Sequence, residues 1–88
     1  MTLRIEKDSD GRRAVIRLSG RLRSEYLEEL KEQLRGERGQ ITIDLDGVTL
    51  VDVEAVRFLN QCAADGVEVV HGSLFIREWM AREQNRKQ

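Results

Sequence analysis

The 88 residues carry 15 Lys and Arg against 16 Asp and Glu, a formal charge of −1 at pH 7, with one cysteine and no proline. That length suits a single domain and falls short of two cores. The balanced charge gives no long-range pull toward nucleic acid or an anionic membrane, and a lone Cys62 excludes an internal disulfide and a Cys-rich metal site.

Leu3 and Ile5 alternate with Arg4 and Glu6, the period of a strand. Asp8-Ser9-Asp10-Gly11 supplies turn chemistry, and Ala14, Ile16 and Leu18 alternate with Val15, Arg17 and Ser19 beyond it. Together these predict an opening β-hairpin that Gly20 ends. From Ser24 the period changes: Leu27, Leu30 and Leu34 recur at three and four, with Glu28, Glu29, Lys31 and Glu32 outward. That pattern predicts an amphipathic helix, capped by Ser24 and stopped by Gly36.

Ile41, Ile43 and Leu45 alternate with Thr42, Asp44 and Asp46 in a third strand. A loop then leads to a second helix opening at Asp52, with Val53, Val56, Leu59 and Ala63 on one side and Ala55, Phe58 and Cys62 widening it. Gly66 closes that helix, and Val67 and Val69 flank Glu68 in a short fourth strand. After the His71-Gly72-Ser73 turn, a last helix carries Ile76, Trp79 and Met80.

The resulting order is β-β-α-β-α-β-α over residues 1–82, followed by a polar tail at 83–88. Every strand alternates, so one sheet face is buried and the other meets water; a doubly wound sheet would show nearly continuous apolar strands. The expected class is α/β, with a four-stranded mixed sheet and helices on one face. No run approaches the roughly 18 apolar residues of a membrane span. The charged N-terminus lacks a signal peptide's apolar core, so a cytoplasmic protein is expected.

Ile41-Thr42-Ile43-Asp44-Leu45-Asp46-Gly47-Val48-Thr49-Leu50-Val51-Asp52 resembles the STAS domain, the family of sulfate transporters and anti-sigma-factor antagonists. Leu18-Ser19-Gly20-Arg21-Leu22 resembles its apolar-x-Gly-x-Leu corner, and Gly66-Val67-Glu68-Val69-Val70 resembles its Gly-led strand. The likeness spans roughly residues 3 to 82. It implies a domain that binds a partner kinase acting as an anti-sigma factor, with phosphorylation of the serine after that Asp breaking the complex. Here that position is Val53, which has no hydroxyl to accept phosphate. Glu54 and Ala55 replace a small polar residue and glycine, Arg23 stands where members often place Asp, and the chain stops short of the final strand and helix of longer members.

The expected function is therefore a non-enzymatic protein-interaction module, divergent and shortened, without the phosphoserine switch. Its expected contact surface comprises Arg21, Arg23, Asp46, Gly47, Asp52, Val53, Glu54 and Arg57. The expected partner is another protein, an anti-sigma factor or related kinase, and the chain itself a monomer or weak homodimer. No nucleic acid, membrane, cofactor, metal or catalytic residue is expected. A small-molecule or nucleotide-binding regulatory domain is the alternative.

Asp52 also reads as a helix N-cap. Asp44, Asp46 and Asp52 form an acidic group near a strand end, read as a solvated edge. His71 has no positioned nucleophile, and Cys62 falls on an apolar helix side. Arg12, Arg13, Arg17, Arg21 and Arg23 make the first quarter basic without interleaved aromatics, the mark of a solvated surface.

Overall fold

A computed structural model describes residues 3–85. The chain order is β1 (Leu3–Ser9), β2 (Arg13–Leu22), a 3₁₀ turn (Ser24–Tyr26), α1 (Leu27–Leu34), β3 (Gln40–Val51), α2 (Val53–Ala64), β4 (Glu68–Val70) and α3 (Leu74–Asn85). The sheet order is β1-β2-β3-β4. β1 and β2 pair antiparallel, while β2–β3 and β3–β4 pair parallel. This is the four-stranded mixed sheet that the strand alternation predicts.

At the hairpin turn, Asp10 Oδ1 accepts the N–H groups of Arg12 and Arg13, each at 2.9 Å. Both parallel connections are β-α-β crossovers stepping the same way across the sheet. Crossovers share one hand, so two successive steps in one direction place α1 and α2 on the same face. Ile16, Leu18, Leu22, Ile43 and Leu45 bury that face against Leu30 of α1, Val56 and Leu59 of α2 and Ile76 of α3, in one core cluster. The register puts Arg4, Glu6, Arg17, Thr42, Asp44 and Glu68 on the opposite face.

Gly20 does not end the second strand. With φ at 98° it sits inside β2, which runs on to Leu22. The loop expected after Asp46 is likewise strand, because β3 continues to Val51. Between the pairs Arg17↔Asp44 and Ser19↔Gly47 the third strand advances one residue more than the second, and it does so again between Gly20↔Val48 and Arg21↔Leu50. Such two-against-one steps are β-bulges. They turn the inward spacing from two to three, so that Leu45, Val48 and Val51 are all buried.

Ser24 does not cap α1 with its side chain; the residue lies in the 3₁₀ turn, and α1 begins after Tyr26. The buried face of α2 is Ala55, Val56, Leu59, Asn60 and Cys62, whereas Val53 is half-buried and Ala63 exposed. α3 packs on α2: Ile76 is fully buried, Trp79 and Met80 partly, and Asn60 Nδ2 donates to the Met80 carbonyl at 2.9 Å. The polar tail expected from residue 83 is corrected in part. Glu83 is buried and helical, α3 reaches Asn85, and residues 86–88 lie outside the described residues.

Candidate functional site

Beyond the second bulge β3 ends at Val51, where α2 starts, and Asp52 holds that corner. Its Oδ1 accepts the N–H of Ala55 at 2.9 Å, which caps α2. Its Oδ2 accepts the N–H of Ser24 at 2.8 Å, which ties the entry of α1 to the entry of α2. Burial raises the Asp52 pKa, but the hydrogen bonds from Ser24 and Ala55 and the charge of Arg23 outweigh it, and the net shift is downward. A carboxylate here serves as cap and clamp at once.

Val53 opens α2 directly after that cap and is half-buried. Glu54 is exposed in the first turn, where its charge suits the positive end of the helix dipole. It lies 3.6 Å from Arg57, which reaches on to Glu83 of α3, with Nε donating to Oε1 at 3.1 Å. Arg21 pairs in register with Leu50, and Arg23 precedes the 3₁₀ turn; both side chains are exposed. Six of the expected contact residues thus gather around one corner: Arg21, Arg23, Asp52, Val53, Glu54 and Arg57.

Asp46 and Gly47 belong elsewhere. The first bulge sets them on the polar face of the sheet, in a shallow depression shared with Glu6, Arg17, Ser19 and Asp44. Gly47 is there because a Cβ would come within 2.8 Å of Ser19 Oγ and 3.1 Å of the Leu18 carbonyl. The acidic group read near the strand end also divides. Asp44 accepts the Asp46 N–H at 2.9 Å and meets His71 Nδ1 at 3.1 Å, while Asp52 faces Ser24 and Ala55. Among the described residues no three His, Cys, Asp or Glu side chains converge as a metal site.

Asn60 escaped the sequence reading, and Leu50, inside the expected contact stretch from Asp46 to Arg57, was not singled out by it. Leu50 is 42% exposed beside Arg21, an apolar side chain off the inward repeat of Leu45, Val48 and Val51. That off-phase position is its only signal, and it becomes visible only once the bulges are known. Asn60 is buried on the apolar face of α2, four residues after Val56; a polar residue at a core position was the available sign.

Residues 5–78 match the family described as "Mlab, STAS domain". The chain belongs to the STAS domain family. Among solved structures it is similar to an antisigma-factor antagonist STAS domain from Rhodobacter sphaeroides, with a TM-score of 0.63 and 18% identity over 78% of this chain and 86% of that one. At that identity the likeness speaks for the fold. Comparison with curated proteins finds no match. No helix among the described residues is long and apolar enough to cross a membrane.

Proposed function

We propose that this STAS domain is a non-enzymatic protein-binding module that works without a serine phosphorylation switch. Its contact surface is the corner made by the ends of β2 and β3 and the first turn of α2. The observation that carries this reading is Leu50, an exposed apolar side chain on a corner held by the Asp52 clamp, beside the charged Arg21 and four residues before the exposed Glu54. Protein interfaces concentrate binding energy in such apolar centres within polar rims. Val53 supplies no phosphate acceptor where the family likeness places the regulatory serine.

The partner is a protein of the bacterial cytoplasm, an anti-sigma factor or related kinase. The neighbour's description as an antisigma-factor antagonist supports a protein partner. His71 meets Asp44, but no serine or cysteine is bonded to that pair among the described residues, so it lacks a nucleophile to activate. A nucleotide reading is less favoured. The cleft at the C-terminal end of β4 holds about 240 Å³, below the ~300–1,000 Å³ of ordinary ligand pockets, and the larger depression of about 450 Å³ sets the carboxylates of Glu37 and Asp65 against the single cation Arg38, a poor match for phosphates.

Affinity capture from host extract tests the surface, with the native chain and a Leu50→Glu, Arg23→Glu variant as baits. A protein held by the native chain and lost by an equally stable variant supports the reading; equal retention by both refutes it. Exposure to a serine kinase acting on STAS partners adds no phosphate at the start of α2, which intact-mass and fragment spectra check. The chain is a monomer with at most weak dimerisation, although β4 pairs only with β3 among the described residues and leaves one edge open. Sedimentation over a concentration series measures this, and a tight dimer contradicts it.

A further inference from the structure

β1 lies at one edge of the sheet and, among the described residues, pairs on one side only, with β2. We propose that two copies of the chain join weakly along this edge, β1 against β1, in an antiparallel register centred on Ile5. An unpaired edge offers N–H and C=O groups to another strand, and the hairpin fixes which residues offer them. Its register is unbroken, and at the turn Asp10 donates its N–H to the Arg13 carbonyl at 3.1 Å. Bonded and non-bonded pairs alternate along an antiparallel ladder. Asp8, Glu6 and Arg4 therefore bond to β2, while Leu3, Ile5 and Lys7 turn their backbone groups outward.

That parity restricts the pairing. Outward residues must meet outward residues, so a two-fold axis falls on a residue and never between two. An axis on Arg4, Glu6, Lys7 or Asp8 sets that charge against its own copy, which is unfavourable across a ladder. An axis on Leu3 or Ser9 engages only an end of the strand. An axis on Ile5 instead places Arg4 of each copy opposite Glu6 of the other, in the non-hydrogen-bonded positions where side chains come closest. Leu3, Ile5 and Lys7 then exchange the backbone bonds, and Ile5 meets Ile5. Arg4 and Glu6 are exposed and already 2.8 Å apart on the polar face, so both charges stand ready for exchange. Lys7, the charge that would guard the edge, is drawn instead to Glu37 and the Gln33 carbonyl at the end of α1. Leu3 and Ile5 are half-buried on the helix side, and pairing covers more of them. The other edge, β4, has three residues with one charge, Glu68, and no such complement. A self-complementary patch of this kind gives a closed two-fold dimer.

The contact is one strand wide and therefore weak, with a dissociation constant on the order of 1 mM. The test combines sedimentation of the full chain over a concentration series with amide hydrogen exchange. Expected is a mass that rises with concentration, together with new protection of the Leu3, Ile5 and Lys7 amides and none at Glu68 to Val70. Arg4→Glu and Glu6→Arg each set like charges across the axis, and each should weaken self-association at least about tenfold. Both side chains are exposed, so melting stays unchanged. Mixing the two variants restores opposite charges and should restore association between them. No rise in mass up to about 2 mM refutes the proposal. Protection centred on β4 refutes it as well, and so does a mixture that associates no better than either variant alone. These variants leave Leu50 and Arg23 untouched, so this inference and the protein-binding reading fail separately.

Discussion

Asp52 joins two chain segments 28 residues apart through one carboxylate, capping α2 and holding the first turn before α1. Replacing it with Ala removes both acceptors at once. The Asp52→Ala variant should lose about 1–2 kcal/mol, the upper range for a lost N-cap, in urea unfolding. Asp52→Asn, which keeps an acceptor oxygen, should lose less. Cys62 illustrates the opposite kind of residue. Burial, aided by Asp65, pushes its thiol up to about 11, so little thiolate exists at neutral pH. Alkylation of Cys62 should be slow in the native chain and fast in urea, as mass spectrometry over time would record.

Among the elements, α2 carries most of the helical side of the core. Leu59 is fully buried there, in the same cluster as Ile43 on β3. Leu59→Ala should cost about 2–5 kcal/mol, the range for emptying a packed site that relaxes only in part. A much smaller loss in chemical denaturation would place the core elsewhere. α3 depends on α2 through polar contacts as well as Ile76: Asn60 holds the Met80 carbonyl, and Arg57 holds Glu83. The amphipathic stripes of α1 and α2 and the alternation of β1 and β2 were legible because each repeats within a few residues. The two bulges of β3 were not. They shift the inward spacing to three, which in a single strand reads as the end of alternation and therefore as a loop.

For the molecule as a whole, acid is the condition that loosens several ties together. Asp10 is held low by the backbone N–H groups of Arg12 and Arg13, Glu37 by its bond to Lys7, and Asp44 by the N–H of Asp46. Asp52 is shifted the same way. Lys7 reaches from β1 to Glu37 at 2.5 Å and to the Gln33 carbonyl at 3.0 Å, linking the sheet edge to the end of α1. A carboxylate whose folded pKa lies below its unfolded value contributes stability that is complete above the unfolded pKa. That contribution is lost as pH falls through the folded one. The urea midpoint should therefore be flat near neutrality and drop below about pH 4. A midpoint that rises on acidification would contradict these assignments.

Strand and helix identity, the β-β-α-β-α-β-α order and the division into an apolar and a polar sheet face were determined by the sequence alone. Each rests on neighbours within one turn or one pleat, and Gly36, Asp52 and Gly66 mark ends by their own backbone and side-chain chemistry. Tertiary structure alone decided the rest. A bulge is a count of residues on one strand against another, so the continuation of β2 through Gly20 and of β3 through Val51 exists only in their pairing. The same pairing moved Asp46 and Gly47 to the open face and left Leu50 outside. Asn60 and Glu83 are buried because α3 lies across α2 and supplies a carbonyl to one and the Arg57 guanidinium faces the other, contacts between segments 20 and 26 residues apart that no local pattern encodes.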